Sequence, residues 1–118
     1  MKLLQSFGYA FKGFFAALQT ELNMKIHLLA VFVVAFAGFY CKITGTEWAL
    51  VLLCMALVIA LELINTAIEK LLNKLHPEFD ETIGLAKDIS ASAVLVASVF
   101  AVIIGGIVFV PYLLKLFF

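Results

Sequence analysis

The chain has 118 residues, 65% of them hydrophobic, and a mean hydropathy of +1.17. A soluble domain carries roughly 45–50% apolar residues, and one this short has too much surface to hide such an excess. Eight lysines balance eight acids and arginine is absent, so there is no basic nucleic-acid footprint. What remains is an all-α integral membrane protein in a single membrane domain.

Residues 1–24 come first. Leu3, Leu4, Phe7, Phe11, Phe14, Phe15 and Leu18 recur at three- and four-residue spacing, with Lys2, Gln5, Ser6, Lys12, Gln19 and Thr20 mostly between them. This predicts an amphipathic helix lying in the membrane interface. A plain surface anchor would show the same pattern. The mixed, Gly8-interrupted start after Lys2 is not the pattern of a cleaved signal peptide.

A polar junction, Glu21 to His27, leads into the first span, placed at 26–43. Its uncharged run, Leu28 to Cys41, is a little short of the roughly 20 residues a span needs. Lys42 to Glu47 is a tight connection in which Gly45 suits the turn and Thr46 suits a helix cap. The second span is placed at 47–73. Its first half is apolar and its second half turns polar, emerging from the bilayer. His76-Pro77 ends it. Residues 74–84 form an acidic loop, and 85–116 form the third span. That last helix is dense in small residues, Ser90, Ala91, Ser92, Ala93, Ala97, Ser98, Ala101, Gly105 and Gly106, which permit close helix approach in a bilayer. Pro111, Tyr112 and Lys115 mark its far interface. Cys41 and Cys54 sit in apolar runs without metal-ligand spacing and read as small core residues.

Lysine counts set the orientation. Lys2, Lys12, Lys25, Lys70, Lys74 and Lys87 fall on one side, with Lys42 and Lys115 on the other. The lysine-rich side is expected to be the cytoplasm, with the N-terminus inside and the C-terminus outside.

The informative stretch is Glu62-Leu-Ile-Asn65-Thr66-Ala-Ile-Glu69. It continues an uncharged run, and positions 62, 65 and 69 share one helical face with Thr66 at its flank. Ionisable residues at membrane depth mark function by default. The expected topology gathers Glu21, Asn23, Glu62, Asn65, Glu69, Lys87 and Asp88 near the cytoplasmic surface. Carboxylates from separate helices with amides nearby fit magnesium, which takes oxygen ligands together with substrate phosphates. A lysine beside them would neutralise phosphate charge, and a deep carboxylate suits taking a proton from a lipid hydroxyl. The reading is phosphoryl transfer to a membrane-embedded alcohol, without a Walker or kinase glycine loop. Each residue alone has a plainer reading. Glu62 and Glu69 would serve as ion-paired packing, Asn65 as interhelical glue, and Lys87-Asp88 as a helix start. His27 and His76 read as interfacial residues. The rival class is a non-enzymatic channel or assembly subunit, in which the same face lines a pore or meets a partner helix.

Glu62-Leu-Ile-Asn65-Thr66-Ala67-Ile-Glu69, followed by Ala86-Lys87-Asp88 with Lys87 eighteen residues after Glu69, resembles the signature of the prokaryotic diacylglycerol kinase family, which includes undecaprenol kinases. Gly8-Tyr9-Ala-Phe-Lys12-Gly13 and Glu21-x-Asn23 resemble its amphipathic helix and junction. The resemblance covers nearly the whole chain. It implies an ATP-dependent lipid kinase of three spans, in which Glu62 matches the catalytic base and Glu21 and Glu69 the carboxylates that bind metal with ATP. Asn65 matches the supporting asparagine of the motif. Lys87, Asp88 and Tyr9 match nucleotide contacts, and Glu78, Phe79 and Asp80 fall where the family's loop meets the nucleotide. A homotrimer with shared sites is implied too. Two positions depart: Asn73 stands where the family usually has Asp, and Lys2 where arginine is common, which keeps the charge but loses the bidentate fork toward phosphate. Glu21-x-Asn23-Met24, Glu47-Trp48 and Phe109-Val-Pro111 look more like the undecaprenol branch. The loop at 78–80 leaves room for the diacylglycerol branch.

Overall fold

The helix ends follow from local chemistry. The computed structural model describes residues 1–118 as four helices: α1 (Lys2–Thr20), α2 (Leu22–Cys41), α3 (Gly45–Leu75) and α4 (Glu81–Phe117). α1 ends where Glu21 adopts extended backbone, with φ −114° and ψ 119°, and α2 begins at the next residue. Glu21 is therefore a corner between two helices. Because Leu22, Asn23, Met24 and Lys25 are already helical, α2 has 20 residues. At about 1.5 Å each that matches the hydrocarbon thickness of about 30 Å.

The α2–α3 connection differs from expectation in two details. The reversal falls on Lys42, in the left-handed region at φ 54° and ψ 51°, while Gly45 is already the first residue of α3. The backbone N–H groups of Lys42 and Ile43 return to the carbonyls of Phe39 and Gly38, closing the α2 end. The cap of α3 is Thr44, not Thr46. Its hydroxyl accepts from the Glu47 N–H at 3.2 Å, and the Glu47 carboxylate accepts from the Thr44 N–H at 2.9 Å. A reciprocal capping box needs a three-residue spacing, which Thr44 and Glu47 have and Thr46 and Glu47 lack.

α3 stops ahead of His76-Pro77. Asp80 then caps α4, its carboxylate accepting from the Ile83 N–H at 3.0 Å. That cap starts the helix at Glu81, before the expected Leu85. α4 runs on through Pro111. A proline there forgoes one backbone bond near the helix end.

α3 and α4 make the most extensive pairing. They run antiparallel, tied by Lys87 to Asn73 at one end and by the Tyr112 hydroxyl to Glu47 at the other. Those ties stand about 39 Å apart along α3 at the helical rise. α2 lies against α3, and α1 folds back near the polar end of both. Only 12 of 118 residues are buried, while Phe32, Phe36, Phe39, Leu53, Val102 and Ile107 face outward. So much exposed apolar surface requires lipid or further protein around it. α2, α3 and α4 are each long and apolar enough to cross a membrane.

At the turn end, Ile43, Val51 and Val108 form a small core with Trp48, Phe109 and Tyr112 packed on it. Gly38 is buried there because Trp48 lies directly on it: a Cβ at Gly38 would come within 2.6 Å of the indole. The ring cannot easily retreat, since Phe39 packs against it, tilted 54° with ring centroids 4.9 Å apart. Gly38→Ala is expected to destabilise the protein by about 1–3 kcal/mol, the usual range for overpacking. Thermal unfolding in detergent reads this as a lowered Tm, and in a Trp48→Leu background the same change is expected to cost little.

Candidate active site

Glu62, Asn65 and Thr66 are the polar exceptions in the core, at 3%, 5% and 4% exposure. They sit on α3 because its apolar face continues through them without a break. Glu69, two turns further along the same face, is half-buried. By helical rise Glu62 lies about 16 Å from the level of Asn73 and Glu69 about 6 Å, so the face slopes from a covered carboxylate to one near the polar end.

The corner at Glu21 brings α2 and α1 to this face. His27 Nε2 of α2 stands 3.6 Å from Glu62 Oε2, and Lys70 Nζ stands 3.6 Å from Glu21 Oε1. Two buried oxygens, Asn65 Oδ1 and Thr66 Oγ1, have no hydrogen-bond partner within the chain. An unpaired polar atom in such a place costs about 1–3 kcal/mol.

The remaining candidates spread along the same end. Lys87 of α4 donates to the Asn73 side chain, so the position that departs from the family pattern is the one that holds this lysine. Phe79 and Asp88 line an open surface hollow with Glu81, Thr82, Gly84 and Leu85. Asp80 is occupied in capping α4, and the Glu78 carbonyl meets the His76 ring at 2.9 Å. Lys2 and Tyr9 are exposed on α1, and neither side chain has a polar partner. The structure therefore brings Glu21, Glu62, Asn65 and Glu69 together, pairs Lys87 with Asn73, and leaves Lys2, Tyr9 and Phe79 open. No three His, Cys, Asp or Glu side chains converge as a ready-made metal cage.

Sequence reasoning missed two partners. His27 was expected to be merely interfacial, yet it meets Glu62. The signal was present: it is an ionisable residue at the mouth of an apolar run, the feature that singled out Glu62 itself. Lys70 counted only toward orientation, and its pairing with Glu21 depends on the corner, which no periodicity reveals.

This geometry defines a class: a helical membrane protein with an acid-rich polar site sunk into one end. The family model for prokaryotic diacylglycerol kinase matches residues 8–109. Undecaprenol kinase of Bacillus subtilis is 33% identical over 112 residues, covering 95% of this chain and 91% of that protein. Diacylglycerol kinase of Synechocystis is 37% identical over 115 residues, covering 97% of this chain and 66% of that protein. Diacylglycerol kinase of Escherichia coli K12 is 29% identical over 102 residues, covering 86% and 84%. The chain belongs to the prokaryotic diacylglycerol kinase family. It is a multi-pass bacterial membrane enzyme, a lipid kinase that uses a lipid and ATP.

Phe79 is 90% exposed and Tyr9 72%. Phe79→Ala and Tyr9→Ala are therefore expected to change stability by no more than about 0.5 kcal/mol. Unchanged Tm together with a raised KM for ATP would show that these rings serve the ligand.

Proposed function

We propose that Glu62 is the general base in transfer of the γ-phosphate of ATP to a long-chain lipid alcohol at the cytoplasmic face of the membrane. The observation that carries this reading is the 3% exposure of Glu62 on a continuous membrane helix whose same face offers Glu69 nearer the polar end. A membrane-borne hydroxyl arrives at the depth of the first, and a water-borne nucleotide at the level of the second.

In the step, the lipid hydroxyl gives its proton to Glu62 while its oxygen bonds to the γ-phosphorus. The bond from that phosphorus to the β–γ bridging oxygen breaks, and ADP leaves. Such transfer relies on alignment and charge stabilisation more than on covalent chemistry. Asn65 supports the reacting groups. Lys87 and Lys2 offset phosphate charge, and Tyr9, Glu78, Phe79, Asp80 and Asp88 contact the nucleotide.

The donor chemistry suits magnesium that comes with ATP. Glu21 and Glu69 would hold it through hard carboxylate oxygens, with the unpaired Asn65 Oδ1 as a third oxygen beside those of the phosphates. Bound there, magnesium would neutralise charge on the phosphate oxygens. Lys70 is half-exposed against Glu21, so it is free to swing aside.

α1 lies in the interface as an amphipathic helix, with Leu3, Leu4, Phe7, Phe11 and Phe15 exposed to lipid. The side with six lysines is cytoplasmic, which puts the N-terminus inside and the C-terminus outside. The enzyme assembles as a homotrimer with shared sites. The unpaired Thr66 oxygen and the broad exposed apolar faces support this. Undecaprenol is the acceptor of first choice, since the Bacillus relative named for it spans over nine-tenths of both chains. Diacylglycerol is the second reading, favoured by the 37% identity to the Synechocystis enzyme.

Labelled ATP and magnesium, offered with undecaprenol and diacylglycerol in parallel, test the acceptor. Label in undecaprenyl phosphate is expected. Label in phosphatidic acid alone would select the second reading, and label in neither would contradict both. Glu69→Gln is expected to raise the KM for magnesium–ATP about tenfold or more, the scale of a lost charged contact of about 1.5 kcal/mol. Chelation of magnesium is expected to abolish transfer, and its return to restore it.

A further inference from the structure

We infer that His27 is a positioning residue for the reaction, holding the Glu62 carboxylate in place for the lipid hydroxyl. This rests on Glu62 being the base.

The contact is specific to Glu62. His27 Nε2 approaches Glu62 Oε2 at 3.6 Å, with side-chain exposures of 20% and 4%. No other basic side chain forms an ion pair with Glu62, because Lys70 goes to Glu21. At 3.6 Å the contact lies just outside hydrogen-bond distance. Catalytic hydrogen bonds are commonly long before substrate binds and tighten in the working complex.

The ring also stands at a boundary. His27 lines one end of an apolar cavity of about 310 Å³ between α2, α3 and α4, whose walls include Val31, Val51, Met55, Ile104 and Phe109. Glu62 does not line it. His27 thus touches both the covered carboxylate and the apolar cavity. Without that ring the carboxylate would lose its only basic neighbour and gain room to rotate.

Residue type matters as well. A lysine in this place would put a permanent, strongly hydrated charge on the base. An imidazole can orient a carboxylate from either nitrogen and in either charge state.

Steady-state kinetics in lipid bilayers test the role. His27→Ala is expected to lower kcat about 10- to 100-fold, the scale of a misplaced reacting group, with the KM for ATP within about twofold. His27→Gln, which keeps an N–H near the same place, is expected to recover part of the loss. His27→Leu refills the space without a donor and is expected to stay low, which separates positioning from packing. In a Glu62→Gln background, His27→Ala is expected to add little. Wild-type kcat in His27→Ala or His27→Leu would overturn the inference, as would a loss that multiplies fully with Glu62→Gln. If Glu62→Gln alone kept full turnover, the assignment of the base would fail first. If the alanine variant did not fold, the glutamine and leucine variants would decide the question between them.

Discussion

A carboxylate on a membrane helix is stable only if protein covers it and polar groups furnish its surroundings. Glu62 meets that constraint, and much of the molecule is arranged around meeting it. α3 carries it in an unbroken helix of 31 residues. The corner at Glu21 turns α2 so that Met24, the most deeply buried side chain, and His27 lie in its first two turns. Lys70 ties that corner back to α3. α4 is fastened along α3 at both ends, so the helix bearing the site cannot slide against its neighbour without losing one tie.

The same constraint separates the two substrates. ATP stays in water and a lipid alcohol stays in the bilayer, yet the reacting oxygen and phosphorus must meet. In the proposed reading, a single helix that passes from apolar to polar offers groups for both on one face. About 10 Å separates the levels of Glu62 and Glu69 along the axis. The unpaired oxygens of Asn65 and Thr66 lie between them.

Much of this was legible in the sequence, for physical reasons. Helical spans declare themselves because a bilayer demands long apolar runs, and the 62–69 face stood out because charge there is costly. The spacing of Glu62, Asn65 and Glu69 also placed them on one face without any coordinates. Details that depend on single backbone angles did not show. Glu21 is a corner only because its ψ is 119°, and a lysine, not a glycine, took the left-handed position at the α2 end. Thr44 and Thr46 are equally good caps by residue type, and only the reciprocal bond with Glu47 decides between them. The His27–Glu62 and Lys70–Glu21 contacts needed the packing of α2 on α3, which the periodicity of either helix alone does not encode.

The measurement that tests the central claim most directly is the single-turnover rate of phosphate transfer with ATP, magnesium and lipid alcohol all saturating. It compares the wild-type enzyme with Glu62→Gln. If Glu62 takes the proton, the variant binds its substrates but transfers phosphate about 10²- to 10⁴-fold more slowly, the usual worth of a general base. A variant that transferred phosphate at the wild-type rate would contradict the account.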